Sequence, residues 1–108
     1  MGQDLHITRS EQWEANEGAE ITLEEWCACV EADPELVWDP ANGPHAVTWT
    51  GHPEPGTESW LEWLGGNVYA TNPGTALSRK MLEVASAFEA RVVNDQNEVY
   101  ERVEDLAV

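Results

Sequence analysis

Residues 60–71 read W-L-E-W-L-G-G-N-V-Y-A-T and carry the clearest fold signal in the chain. Two short apolar runs flank Gly65 and Gly66, and a glycine pair suits a two-residue hairpin loop because glycine tolerates positive φ. We therefore predict two antiparallel strands joined at this pair. The predicted cross-strand pairs are Leu64 with Asn67, Trp63 with Val68, Glu62 with Tyr69 and Trp60 with Thr71.

The two faces of this hairpin differ in character, because successive side chains of a strand point to opposite faces. One face is apolar and predicts a contribution to the core from Leu61, Trp63, Val68 and Ala70. We predict that the other face, which combines aromatic rings with a carboxylate, stays at least partly open. That face carries Trp60, Glu62, Leu64, Tyr69 and Thr71.

Two segments have the spacing of amphipathic helices. Thr22 and Glu25 predict a capping box at the start of the first. The Asp-Pro pair at residues 33–34 ends it, because the residue before proline avoids helical angles. The second helix is predicted to begin near the Asn-Pro pair at residues 72–73, and its apolar spacing continues to Phe88.

The 108 residues have the size of a single domain, which we expect to span residues 1–108. Hairpins and short loops outnumber helical crossovers in the predicted order of elements. We therefore predict an α+β fold, a mostly antiparallel sheet of about five to six strands with two main helices packed on one face. The other predicted elements are strands at 4–8, 46–50, 90–93 and 98–100, a short helix at 11–16, a connection at 35–44, and either a strand extension or a tail at 101–108.

Net charge is the strongest global property of the sequence, with 21 acids against 5 bases and a formal charge of −16. Residues 1–66 hold 14 of the acids and a single base, Arg9. Phosphate neutralisation needs lysine and arginine, so this composition disfavours direct binding to nucleic acid or to an anionic membrane surface. A basic protein partner fits the charge, and so does plain solubility.

No stretch carries a catalytic or metal-binding signature. The histidines His6, His45 and His52 do not occur in metal-ligand spacings, and no serine lies in a nucleophile-elbow motif. Cys27 and Cys29 lie two apart in a predicted helix, so we interpret them as two reduced thiols that do not pair with each other. We expect no enzyme activity, no catalytic residue, no cofactor and no bound metal.

The predicted partner-binding surface combines the open hairpin face with the acidic loop before it. No lysine or arginine occurs between residues 10 and 78, so the acids of this region have no base close in sequence. Aromatic side chains surrounded by carboxylates can bind in a cationic cleft of a partner protein. Alternatively, the acids form a solvated face and the two aromatic rings belong to a small second core under the loop. The predicted partner-binding residues are Asp39, His52, Glu54, Glu58, Trp60, Glu62 and Tyr69.

A series of short motifs spans nearly the whole chain: D-L-H-I-T-R (4–9), N-E-G (16–18), I-T-L-E-E-W (21–26), D-P-E-L (33–36), N-G-P (42–44), W-L-E-W (60–63), G-N-V-Y (66–69), T-N-P (71–73) and E-V-Y (98–100). The series resembles a group of small acidic bacterial proteins that are immunity partners of secreted antibacterial toxins. The resemblance implies a common fold and tight stoichiometric binding to a toxin domain. It does not supply the interface residues above, because immunity proteins usually bind through variable surfaces.

Three functions are therefore considered. The first is a cytoplasmic immunity protein that occludes the active site of a toxin domain, with a basic nuclease as the expected target. The second is a non-catalytic regulatory or adaptor domain that binds another protein. The third is a small enzyme or metal-binding protein that uses His6 and His52. The cytoplasm is expected because the N-terminus, M-G-Q-D-L-H, has neither the basic nor the apolar region of an export signal.

Overall fold

Seven strands and two helices follow one another in the residues that the computed structural model describes, which are 4–54, 56, 59–71 and 73–100. In chain order they are β1 (Asp4–Thr8), α1 (Leu23–Ala32), β2 (Leu36–Trp38), β3 (Ala46–Trp49), β4 (Trp60–Leu64), β5 (Asn67–Thr71), α2 (Gly74–Ala87), β6 (Arg91–Val93) and β7 (Val99–Tyr100).

The described strands form one antiparallel sheet in the order β2-β3-β4-β5-β1-β6-β7. The predicted α+β class is confirmed, and the strand number of seven is slightly higher than predicted. The additional strand is β2, which lies in the segment predicted to be a connection. Only Leu36 of β2 is buried, whereas Val37 and Trp38 are 49% and 40% exposed, so this strand lacks the alternation by which strands are recognised.

The Gly-Gly hairpin is confirmed. The register of β4 and β5 is the predicted one, with Glu62 opposite Tyr69. Gly65 and Gly66 adopt φ values of +60° and +96°, in the region that favours glycine. A Cβ atom added to Gly66 would lie 2.6 Å from Cβ of Glu20, so this glycine also lets the chain at residue 20 pass close to the turn.

Both helices pack on one face of the sheet, and a single apolar cluster joins them to it. Trp26 and Trp63 lie at this junction and donate their indole N–H groups to main-chain oxygens, to His45 at 3.0 Å and to Ile21 at 2.8 Å. The predicted core residues of the hairpin join the cluster, Trp63 as a partly buried neighbour. The cluster consists of Leu5, Ile7, Ile21, Trp26, Val30, Leu36, Val47, Trp49, Leu61, Val68, Ala70, Leu77, Met81, Val84, Ala85, Phe88 and Val92.

The start of α1 is the predicted capping box. The hydroxyl of Thr22 accepts the main-chain N–H of Glu25 at 3.1 Å, and the carboxylate of Glu25 accepts the main-chain N–H of Thr22 at 3.0 Å. In α2 the N-cap is Pro73, and no side chain among the described residues caps this helix. Asn72, the first residue of the Asn-Pro pair at which this helix was predicted to begin, lies outside the described residues.

The crossing segment (residues 9–22) joins β1 to α1. The prediction of a helix at residues 11–16 of this segment is wrong. The segment contains turns instead. Its centre is held by the rest of the fold: the N–H of Trp13 donates to Oδ1 of Asn97 at 2.9 Å, and its C=O accepts from Nδ2 of Asn67 at 2.7 Å. These tertiary hydrogen bonds use the peptide groups that a helix would pair with its own turns.

The longest described helix, α2, has 14 residues. A membrane span needs about 20 residues, and no helix in the described ranges is long and apolar enough to cross a bilayer. Residues 101–108, for which the sequence left a strand extension and a tail as alternatives, lie outside the described residues.

Candidate partner-binding face

The open face is the side of the sheet that lies away from α1 and α2. Directly opposed residues form a row across it, and other parts of the chain cover two places in that row. The loop after β2 packs on Glu62 through Gly43, and the crossing segment packs on His6 through Trp13, whereas Val99 at one end of the row is 41% exposed. The row consists of Ala46, Glu62, Tyr69, His6, Val93 and Val99.

Trp60 and Tyr69 form an aromatic pair in the middle of the open face. Their ring centroids lie 5.7 Å apart at an interplanar angle of 88°, the edge-to-face arrangement that aromatic quadrupoles favour. Both side chains are half-buried. The predicted sharing of one face by these two residues is therefore observed, and their rings support each other.

Glu62 lies beside this pair and is almost fully buried. The hydroxyl of Tyr69 donates to Oε1 of Glu62 at 2.9 Å. The carboxylate packs against the main chain of Gly43, where an added Cβ would come within 2.0 Å of Oε2. Burial raises the pKa of Tyr69 first, and the hydrogen bond to Glu62 and the charges of Glu62 and Asp4 raise it further. Tyr69 therefore keeps its proton and remains a donor.

Asp39 joins the same part of the face through Thr48. Its Oδ2 atom accepts from the hydroxyl of Thr48 at 2.8 Å and from the side-chain amide of Asn42 at 2.7 Å. Thr48 lies directly opposite Trp60 in the ladder of β3 and β4. We call this contiguous group the aromatic–acid patch; it consists of Asp39, Thr48, Trp60, Glu62 and Tyr69.

Two further predicted site residues, His52 and Glu54, are not part of the aromatic–acid patch. His52 packs edge-on against Trp49, with ring centroids 5.6 Å apart, and its Nδ1 accepts the main-chain N–H of Glu54 at 3.0 Å. Trp49 belongs to the core on the helix side of the sheet, so His52 lies on that side. Glu58 lies outside the described residues.

The crossing segment contributes a residue that sequence reasoning placed elsewhere. Trp13 lies within the range predicted to be a short helix, yet it stacks on His6 and covers that part of the open face. Asp95 contacts both residues, His6 through its carboxylate and the indole N–H of Trp13 through its main-chain oxygen. No local signal predicts this contact, because Trp13 and Asp95 are 82 residues apart.

The ion pairs formed by the described arginine and lysine side chains do not include the aromatic–acid patch. Arg9 pairs with Glu25 at the start of α1, and Lys80 of α2 pairs with Asp33, Glu35 and Glu83. In the described part of the chain, neither carboxylate of the patch forms an ion pair. No described base therefore neutralises the patch, whereas Arg9 and Lys80 pair with acids elsewhere in the fold.

The described side chains offer no metal centre, since no three His, Cys, Asp or Glu residues among them are grouped so that they could hold an ion. The two cysteines are free and partly exposed. Burial and the charge of Asp33 raise the pKa of the Cys29 thiol, against the opposing effect of Lys80. That direction favours the protonated thiol over the reactive thiolate.

No protein-family model matches the sequence, and comparisons with curated proteins and with solved structures give no significant match. The resemblance to immunity partners of secreted toxins therefore remains a prediction.

Proposed function

We propose that this protein is an immunity protein that binds a secreted antibacterial toxin domain in the cytoplasm and occludes its active site. The expected target is a basic nuclease. The protein acts by stoichiometric binding through the aromatic–acid patch, without chemistry of its own.

The single observation that carries this proposal is the aromatic pair of Trp60 and Tyr69 next to two carboxylates that pair with no described cation. Rigid aromatic side chains are the commonest anchors of protein interfaces. Tyr69 is already oriented by its hydrogen bond to Glu62, which lowers the cost of ordering on binding. A cationic cleft built to hold phosphate is complementary to such a surface.

The overall charge of −16 supports the same kind of partner. An acidic inhibitor and a basic nuclease attract each other over the Debye length, which speeds their association at low salt. We expect the association rate constant to fall by about tenfold or more between 50 mM and 500 mM salt. A rate constant that does not depend on salt would contradict the electrostatic part of the proposal.

The direct test uses the toxin domain encoded next to the gene of this protein. Purified toxin is titrated with this protein, and nuclease activity should fall linearly to zero at a 1:1 ratio. Trp60→Ala should weaken binding by about 2 kcal/mol or more, while Trp60→Phe should restore part of the loss. A neighbouring gene without a toxin domain, or a toxin that remains active in excess of this protein, would refute the proposal.

A charge-matched pair of variants separates the aromatic–acid patch from the net charge. Glu62→Gln keeps an oxygen that can accept from Tyr69 and removes one negative charge from the patch. Glu31→Gln removes one negative charge from the exposed side of α1, on the opposite side of the molecule. We expect Glu62→Gln to weaken binding clearly more than Glu31→Gln. Equal effects would show that the patch has no special role.

The second candidate is a regulatory or adaptor domain that uses the same face for another protein. It needs no different geometry, since aromatic anchors serve both kinds of interface. The titration separates the two candidates, because an adaptor binds its partner without abolishing the activity of a toxin domain.

A further inference from the structure

β2 is an edge strand whose outer main-chain groups have no neighbour in the described sheet. Main-chain hydrogen bonds join Asp39 to Ala46 and Thr50 to Glu35, on either side of the β2–β3 ladder. Hydrogen-bonded pairs alternate along an antiparallel ladder, so the bonded pair between them is Val37 with Thr48.

The residues on either side of Val37 therefore point their main-chain groups away from β3. The N–H of Leu36 is used locally, since it donates to the main-chain oxygen of Asp33 at 3.1 Å. Both main-chain groups of Trp38 and the C=O of Leu36 remain on the free edge. An added strand could pair with these three groups.

The side chains of this edge are unusually apolar for a free strand. Val37 and Trp38 are among the most exposed large apolar residues of the described chain, at 49% and 40%. Their side chains project to opposite sides of the sheet. β2 contains no lysine or proline, the residues that commonly prevent an edge strand from pairing with another chain. A strand laid beside β2 would bury both side chains as well as the main-chain groups.

The charges around β2 indicate which kind of strand can pair with this edge. The sequence D-P-E-L-V-W-D at residues 33–39 carries three acids and no base; Lys80 pairs with Asp33 and Glu35, whereas Asp39 forms no ion pair with a described cation. A second copy of this chain would bring the same acids, and −16 of net charge, against this edge. Repulsion therefore disfavours self-pairing, and the same charges attract a strand with lysine or arginine at its ends.

We propose that β2 is the docking edge for an extended basic segment of the toxin domain, which adds to the sheet as an eighth strand. This inference rests on the proposed function and adds the binding mode. Val37 lies opposite Thr48, and Thr48 lies opposite Trp60, so the edge continues into the aromatic–acid patch. A single surface of the partner can therefore contact both the edge of β2 and the aromatic–acid patch.

The first test is residue-resolved amide exchange of this protein, free and bound to the toxin domain. The N–H of Trp38 should exchange quickly in the free protein and become protected by about tenfold or more in the complex. The N–H groups of Val37 and Leu36 are internal controls, because each is already bonded in the free protein. A complex that leaves exchange at Trp38 unchanged would overturn the inference and leave the proposed function intact.

The second test compares Trp38→Pro with Trp38→Ala. Both remove the indole, but proline also removes the outward N–H, at an edge position where proline is tolerated. We expect the dissociation constant of Trp38→Pro to exceed that of Trp38→Ala by about tenfold. Matching circular dichroism and unfolding curves establish that both variants fold.

Three outcomes would count against the inference. Equal affinities of the two variants would show that the outward N–H is not used. A dimer of the free protein that Trp38→Pro dissociates would assign the edge to a second copy. A toxin domain that fails to bind the unmodified protein would refute the proposed function, and this inference with it.

Discussion

The indole of Trp13 lies flat on the imidazole of His6, with ring centroids 3.9 Å apart and planes only 6° from parallel. His6 is 5% exposed on a face that carries no helix, so the crossing segment provides its cover. Nε2 of His6 lies 2.9 Å from Oδ1 of Asp95, and the indole N–H donates to the main-chain oxygen of Asp95 at 3.3 Å. These contacts cover the open face at His6, directly beside the aromatic–acid patch, where Trp60 and Tyr69 are half-buried.

Loss of the Trp13 indole should therefore destabilise the fold although the residue lies in a segment without regular structure. We expect Trp13→Ala to lower the free energy of unfolding by about 2 kcal/mol, from lost burial and lost stacking. Urea unfolding followed by circular dichroism measures this change. Trp38→Ala is the matched control, since it removes a more exposed indole from the sheet edge and should cost less than about 1 kcal/mol. Equal losses in the two variants would contradict a structural role of the stack.

The pH dependence of stability should report the pair of Arg9 and Glu25. The pKa of Glu25 is lowered from 4.5 to about 2, first by its hydrogen bond with Arg9 and then by the main-chain N–H of Thr22. A carboxyl group whose pKa is lower in the folded than in the unfolded state stabilises the fold above its unfolded pKa. That contribution is lost as the pH falls from about 4.5 towards 2.

Unfolding experiments at several pH values test this directly. The unmodified protein should be more stable than Glu25→Gln at pH 7, and this difference should shrink towards zero as the pH falls through the window given above. Glu24→Gln is the matched control, because it removes the same charge from the same helical turn and leaves the pair with Arg9 in place. If the difference in stability from the unmodified protein shrank equally in Glu24→Gln and Glu25→Gln as the pH fell, the pair of Arg9 and Glu25 would not be the cause of the pH dependence.

The parts of the fold that local chemistry determines could be predicted from the sequence. The Gly-Gly hairpin and its register follow from backbone freedom at two adjacent residues, and the capping box follows from the spacing of Thr22 and Glu25. The shared face of Trp60 and Tyr69 follows from strand alternation once the register is known. Each of these predictions depends on residues within about a dozen positions of one another.

The parts that depend on distant contacts could not be predicted. β2 has only three residues, two of them exposed, and it is a strand because β3 pairs with it. The sequence of the crossing segment predicts a helix at residues 11–16, yet hydrogen bonds with Asn67 and Asn97 hold its centre in another conformation. His52 follows Trp49 to the helix side of the sheet, which the loop sequence does not reveal. In each case a tertiary contact overrides a local preference.

A buried cation links the two helices, and its removal should be costly. Nζ of Lys80 lies 2.7 Å from Asp33, 3.1 Å from Glu35 and 3.6 Å from Glu83, although its side chain is only 7% exposed. Lys80→Met keeps most of the apolar stem and leaves these acids without their cation. We expect the free energy of unfolding to fall by about 1 kcal/mol, because the acids lose their shared cation while solvent screens part of their charge.

Arg79→Met is the matched control for Lys80→Met, since Arg79 is an exposed neighbour in the same helix. It should change the free energy of unfolding by no more than about 0.5 kcal/mol. Adding Asp33→Asn to Lys80→Met should recover part of the loss, because the closest uncompensated charge is then removed. A double variant that is less stable than Lys80→Met would contradict this electrostatic account.

The two glycines of the hairpin turn should differ in their tolerance of a side chain, although both have positive φ. Gly65 at φ +60° has open space around an added Cβ, whereas a Cβ on Gly66 at φ +96° would lie 2.6 Å from Cβ of Glu20 and 2.9 Å from Nδ2 of Asn16. Asparagine tolerates the left-handed region, so Gly65→Asn should cost less than about 1 kcal/mol. The same change at Gly66 should cost about 3 kcal/mol or more, because the crossing segment would have to move. Thermal or urea unfolding of the two variants measures the difference, and equal losses would mean that φ alone, and not the passing chain at residue 20, determines the need for glycine.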